Sequence, residues 1–498
     1  MCALKEIWMK DKLRGSLVIS WLLTVFTSFF GPALLPITIP YVGTMYAFRL
    51  LLPITMLLYL IWAVKEKKSW LRDIATIEKW CYLFTVILLV YGVVSLVRAI
   101  DFIFTFRKLF NLCFDLCFFV LLLCICREKD IRKLTLWLCG IMLVILCLLG
   151  IYEVFFNHIL KPMEYKDARF FWLDFDRVFY TPVCFSGNTN NYATELVFLF
   201  SITMLAVLNS ERKDSAKLEY CLFLTGAAVY FLLLAADAQL CEVAFKILLI
   251  GLILWGILRG KRFVRLPVLL LCCTVSITFA HQYRFIVPPI QQYMEQMSEY
   301  QQEAGSDQTI DEGATRPEKP TLEIGNPQSE SLKDQFIAVD EETGELALRE
   351  DGTGGVRAHL LLHAFNCFKE SYGLGVGLGN TEILARDRQV TSNGIWNIHC
   401  FIARIIADFG IFALIPLIVI GWLLLWAGLR FCFEAVRQKN RARMAYSILY
   451  FCALLVYPFA STAPSDAQDI LTMWIYMAGI VIISINLNNL KRGCKGIV

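Results

Sequence analysis

"FGIFALIPLIVIGWLLLWAGL", residues 409–429, runs for 21 residues without a charge. At about 1.5 Å per residue, a helix of that length crosses the ~30 Å hydrocarbon layer of a bilayer. Windows of the same kind recur near 15–31, 41–64, 79–98, 109–126, 134–156, 191–209, 218–236, 242–258, 266–281, 444–463 and 469–490, and the quoted stretch belongs to a window at 405–429. The chain has 498 residues, is 57% hydrophobic and has a mean hydropathy of +0.58, which excludes an ordinary soluble domain of this size. A β-barrel would show short alternating segments instead of long apolar runs. The expected fold is an all-α polytopic membrane protein with about 12 transmembrane helices.

Basic residues mark every second connection: 5–14, 65–79, 127–133, 210–217, 259–265, 430–443 and 491–495. The intervening loops at 32–40, 237–241 and 464–468 carry no Lys or Arg. The positive-inside rule then makes both termini cytoplasmic. Met1–Arg14 is basic, but no small-residue cleavage site follows, so the first apolar run reads as a retained helix. Most of the 18 cysteines sit in apolar helices as small hydrophobes, and Cys367 and Cys400 read as packing residues in preference to a disulfide.

This orientation leaves two long outer segments, 157–190 and 282–404. The chain divides into helices 1–9 over 1–281, an extracytoplasmic loop over 282–404 between helices 9 and 10, and helices 10–12 over 405–498. Within the loop, residues 295–351 carry 16 acidic against four basic side chains and read as a weakly ordered, solvated insertion. In the stretch that follows, Leu360, Leu361, Ala364, Phe365 and Phe368 have helical spacing, which predicts an interfacial amphipathic helix. Gly373, Gly375, Gly377 and Gly379 then predict a tight loop, at a spacing that does not fit a dinucleotide fingerprint.

All five histidines (His158, His281, His359, His363 and His399) fall on the outer side. His359 and His363 have the i,i+4 spacing of zinc ligands without an accompanying HExxH glutamate, and "DFD" at 174–176 is a short acidic match; neither is read as a metal site. Arg404 and Asp408 are i,i+4 and form a structural pair at the entrance of the 405–429 window. Arg49 and Asp115 lie deep in apolar windows and call for a partner or cavity, and Glu242 and Lys246 neutralise each other across one turn.

Three segments resemble landmarks of the bacterial O-antigen ligase and polysaccharide polymerase family. They are "SGNTNNYATELVFLF" (186–200), "GVRAHLLLHAFNCFKESYGLGVGLGN" (355–380) and "NIHCFIARIIADFGIFALIPL" (397–417). The matching positions are Asn188 to Asn191, Arg357, Gly375 to Gly379, His399, Asp408 and Gly410. The sequence departs from the family at "LLAADAQLCE" (233–242), where the family places a Ser-Arg pair, and at Cys400, where the family has Asn. The resemblance implies a GT-C-like, metal-independent glycosyltransferase of the cytoplasmic membrane, without cofactor or nucleic-acid partner and with an extracytoplasmic active site. Its donor would be a polyprenyl-pyrophosphate-linked oligosaccharide and its acceptor a glycan, lipid or wall anchor. His399 and Arg357 would be catalytic. Arg386, Arg388, Arg404, Asn188 and Asn190 would bind pyrophosphate or glycan. The alternative from another class is a transporter or flippase of lipid-linked sugars, which twelve helices also suit, although no internal repeat is evident.

Overall fold

The computed structural model describes residues 8, 11–67, 74–156, 169–171, 178–180, 182–186, 188–209, 216–260, 263–280, 337–339, 346–348, 353–391, 395–464 and 470–489. The chain is an all-α polytopic membrane protein. Its helices are α1 (Lys12–Ser28), α2 (Ala47–Lys65), α3 (Thr76–Val97), α4 (Phe102–Ile125), α5 (Lys129–Phe156), α6 (Thr189–Leu208), α7 (Ala216–Ala235), α8 (Gln239–Arg259), α9 (Phe263–Ala280), α10 (Thr353–Glu370), α11 (Asn380–Asp387), α12 (Phe401–Arg437), α13 (Arg441–Ala460) and α14 (Leu471–Asn489). Ten of them, α2 to α9, α12 and α13, are long and apolar enough to cross a membrane. Among the described residues, three antiparallel pairs of three-residue strands interrupt the helices, 37–39 with 43–45, 169–171 with 178–180 and 337–339 with 346–348. Most of the acidic insertion, "DFD", His158 and His281 lie outside the described residues.

Helix starts follow local chemistry. The Asp11 carboxylate accepts from Leu13 N, Asp101 from Phe104 N and Asn440 from Arg443 N, each satisfying a backbone donor that the first turn leaves open. Pro53, Pro416 and Pro458 sit inside spanning helices, where neighbouring groups can satisfy the freed carbonyls. The core is built round α6, of which 72% is buried inside the bundle. Phe198 of α6 stacks on Tyr476 with ring centroids 4.5 Å apart, and Tyr457 lies 6.2 Å from both rings. The outward faces stay aliphatic: Ile54, Leu57, Val90 and Val93 are more than half exposed, as a lipid-facing surface requires.

Several buried polar groups in the spans are paired. Ser20 and Thr24 of α1 both bond Thr55 of α2, at 2.6 and 2.8 Å. Arg49 donates to Thr44 O and Asn111 Oδ1 at 2.7 and 2.8 Å, and its guanidinium lies 4.6 Å from the Tyr46 ring. Glu242 and Lys246 pair at 3.2 Å across one turn.

The described residues of the first three basic connections meet at one end of the bundle. There Arg14 pairs with Glu128 at 3.3 Å, Lys65 with Asp11 at 3.4 Å and Arg127 with Glu78 at 2.9 Å. The starts of α6, α8 and α12 and the end of α13 lie at the opposite end, together with α10 and α11.

Candidate functional site

The glycine loop is built against a break in α12. At Gly410 the backbone leaves the helix, with φ 65° and ψ −154°. The break frees two carbonyls of the preceding turn, and the loop supplies their donors. Val376 N donates to Ala407 O at 2.8 Å and Gly377 N to Asp408 O at 3.0 Å, while Ile411 N donates back to Gly373 O at 2.9 Å. The two backbones touch. A Cβ on Gly375 would lie 2.6 Å from Asp408 O, and one on Gly410 only 2.3 Å from the Leu374 carbonyl carbon. Close approach, and a positive φ at both positions, therefore require glycine there. The Tyr91 hydroxyl of α3 donates to Leu374 O and Gly375 O, and Ser95 Oγ accepts from Leu378 N at 3.0 Å.

Beyond the loop, α11 closes a buried charge cluster. Glu382 Oε1 lies 3.0 Å from Arg404 Nη2 and 3.3 Å from Lys108 Nζ of α4. Arg404 Nε is 3.6 Å from Asp408 Oδ2. The Asp408 carboxylate also accepts from Gly379 N at 3.2 Å and from the Thr381 hydroxyl. Two cations and two anions thus compensate one another, with Arg404, Asp408 and Glu382 all under 6% exposed. Asn380 ties the same turn to α3 and α4, accepting from Ile100 N and donating to Arg98 O and Val376 O. Arg404 and Asp408 do form a pair, but Glu382, unmarked in the sequence, makes the shorter contact.

The amphipathic helix α10 turns Val356, Leu360, His363, Ala364 and Cys367 inward and leaves Leu361, Leu362 and Phe365 exposed. His363 Nε2 bonds Thr381 O at 3.0 Å, and burial depresses the imidazole pKa below its ordinary 6.5. Cys367 and partly buried Cys400 share a small apolar cluster as free thiols. Arg357, half-buried on α10, lies within electrostatic reach of Cys241 at the start of α8. Burial lowers its guanidinium pKa. Cys241 Sγ is 3.5 Å from Thr194 Oγ1 of α6, which donates to Ala460 O at the end of α13. Two residues after half-buried His399, Phe401 N donates to Ser461 O at 3.4 Å. Arg357 and His399 therefore stand on different elements at one end of the bundle, joined through α6, α8 and α13.

At the start of α6, Asn188 Oδ1 caps the helix by accepting from Asn190 N at 2.7 Å, and Asn191 Nδ2 reaches Ser186 O at 3.4 Å. Two buried carboxylates hold this entry. Glu153 Oε2 accepts from Val183 N and Cys184 N at 2.9 and 2.8 Å, and Glu195 Oε2 accepts from Ser186 Oγ at 2.9 Å. The sequence reading passed over both, although a lone carboxylate in an apolar window is itself a signal. Arg386 pairs with Asp387, and Arg388 makes a two-point contact with Glu370 at 3.0 and 2.8 Å, both on the exposed surface. The Arg388 guanidinium holds the Glu370 carboxyl below its usual pKa.

No family model matches the chain. A stretch of 137 residues is 28% identical to the teichuronic acid biosynthesis protein TuaE of Bacillus subtilis (strain 168). That stretch covers 27% of this chain and 27% of the relative, so the likeness spans about a quarter of either protein.

Proposed function

We propose that the chain is a lipid-dependent glycosyltransferase that polymerises or ligates polyprenyl-pyrophosphate-linked glycans for a cell-surface polysaccharide. In this reading α1 and α14 complete twelve spans, both termini are cytoplasmic, and the end carrying Arg357 and His399 faces outward. The observation that carries the proposal is the meeting of three sequence-distant segments, at α6, α10 and α12, at the end opposite the basic loops. The likeness to a teichuronic acid biosynthesis protein supports the substrate class.

The chemistry follows from the side chains. An acceptor hydroxyl attacks the anomeric carbon of the donor, and the bond from that carbon to the pyrophosphate oxygen breaks. The leaving polyprenyl pyrophosphate gains negative charge, which the Arg357 guanidinium meets with planar, paired N–H donors. Burial of Arg357 removes competing water and strengthens that interaction, while the group stays protonated near neutrality. His399 takes the proton of the acceptor hydroxyl, a role suited to an imidazole near neutral pH. Asn188, Asn190, Arg386 and Arg388 surround this end as donors for glycan or phosphate oxygens. Arg404, held between Glu382 and Asp408, positions the half-helix that His399 precedes.

The test supplies purified protein in nanodiscs with a polyprenyl-pyrophosphate oligosaccharide and measures glycan length. Longer chains are expected from the wild type, and Arg357→Ala or His399→Ala should lower the rate by about a hundredfold or more while the protein stays monodisperse. Normal polymer from either variant removes that residue's role. Transfer of unextended donor across the bilayer would instead favour the transporter reading.

A further inference from the structure

At the basic end, α4, α5, α6, α13 and α14 leave a shallow groove between them. Its wall is aliphatic, from Leu136, Ile202, Leu205, Ile475 and Ile482. Arg132, one turn into α5, is the one charged side chain among the described residues that line it. Its Nε is buried and makes no hydrogen bond within the protein. Three other cations of this end are neutralised in ion pairs, Arg14 by Glu128, Arg127 by Glu78 and Lys65 by Asp11. Among the described residues, Arg132 has no such carboxylate.

We propose that this groove binds an anionic phospholipid of the bilayer, with the phosphate on Arg132 and an acyl chain along the aliphatic wall. A dry aliphatic wall favours hydrocarbon over water. A half-buried guanidinium without a counter-charge, its Nε unpartnered, favours an anion, and its N–H geometry matches phosphate oxygens. Basic pockets between helices on the cytoplasmic side are where anionic headgroups bind. The carboxamides of Asn209 and Asn486 line the same groove and add neutral donors for phosphate or glycerol oxygens. The apolar wall selects a lipid over a free phosphate ion. This site lies at the other end of the bundle from Arg357 and His399, so it stands whether or not the glycosyltransferase reading does.

The experiment is native mass spectrometry of the full chain released from nanodiscs that hold equal amounts of phosphatidylglycerol and phosphatidylcholine. The retained lipid is expected to be enriched in phosphatidylglycerol by about tenfold or more. Arg132→Gln should abolish the enrichment. Ala206→Phe, which narrows the aliphatic wall without touching the charge, should abolish retention of either lipid. Equal retention of the two lipids by the wild type overturns the proposal, and that arm requires no variant to fold. Wild-type enrichment in monodisperse Arg132→Gln overturns it as well. So does displacement of the lipid by millimolar inorganic phosphate, or preferential retention of polyprenyl phosphate.

Discussion

Replacing Gly410 by alanine asks whether the break in α12 and the glycine loop form one structural unit. The backbone there, at φ 65° and ψ −154°, lies in a region that essentially only glycine occupies, so a side chain adds ~1–3 kcal/mol of strain. The new Cβ would stand 2.3 Å from the Leu374 carbonyl carbon and 2.4 Å from Gly373 O. Both are backbone atoms with no rotamer to retreat into, so the loop must withdraw. Withdrawal breaks the bonds from Val376 N to Ala407 O, from Gly377 N to Asp408 O and from Ile411 N to Gly373 O. At ~0.5–1.5 kcal/mol net for each bond, the total with strain comes to about 3–7 kcal/mol. That loss falls on the docking of residues 371–390 and leaves the spanning bundle in place. Hydrogen-exchange mass spectrometry should therefore show faster exchange in that segment, by about a hundredfold or more. Gly421→Ala in the same helix, where a Cβ meets nothing within 4 Å, is the matched control and should change stability by less than ~1 kcal/mol. Wild-type protection of 371–390 in a monodisperse Gly410→Ala protein would refute the reasoning.

The charge cluster makes a related prediction. Glu382→Gln leaves buried Arg404 and half-buried Lys108 with one carboxylate between them, which should destabilise the α11 region by ~3–5 kcal/mol, and Lys108→Met in the same chain should recover most of the loss. Melting curves in one detergent check this, and an unshifted curve for the single variant counts against the cluster. His363 predicts a pH dependence. Its folded pKa lies below the unfolded value of 6.5 because burial disfavours the charged ring, so the unfolded chain binds the proton more readily. The neutral ring's contribution is complete above about 6.5 and is lost as pH falls through the window below it, and His363→Gln should flatten that part of a melting-temperature profile. Arg388→Ala removes an exposed ion pair with Glu370 and should lower stability by less than ~1 kcal/mol. A clear loss of glycan transfer with an unchanged melting curve would then mark Arg388 as a substrate contact.

The spans were legible because each holds an apolar run long enough to cross a bilayer, a property of composition that survives any arrangement of the bundle. Their ends were less so. The window at 405–429 marks the apolar stretch, whereas α12 runs from Phe401 to Arg437, because Arg, Glu and Ala are good helix formers and hydropathy is blind to backbone hydrogen bonds. The glycine loop and Gly410 each stood out as landmarks. That one seats the other did not, since a contact between residues some 35 apart leaves no periodic trace. Glu382 and Lys108 look like ordinary charges near helix ends, and only their meeting with Arg404 makes them a buried set. Glu153 and Glu195 differ: each interrupts an apolar window, and the cost of such a group in a membrane is itself a reason to expect a buried partner.

Backbone accounting gives the glycine loop its mechanical meaning. In a membrane protein, irregular backbone at depth persists only where other protein groups satisfy it. The carbonyls of Ala407 and Asp408 lose their helical donors at Gly410, and the loop returns two N–H groups to them. The short helix Phe401–Phe409 is thereby separated from the rest of α12 with both of those carbonyls paired. It is anchored at its start through Ser461 and at its far end through the glycine loop, with Arg404 and Asp408 fixed between by Glu382 and Thr381. His399 enters directly on that anchored piece. Its orientation then depends on α13 from one side and on Arg357's own segment, 355–380, from the other. The two residues proposed for catalysis thus stand on segments that the glycine loop joins.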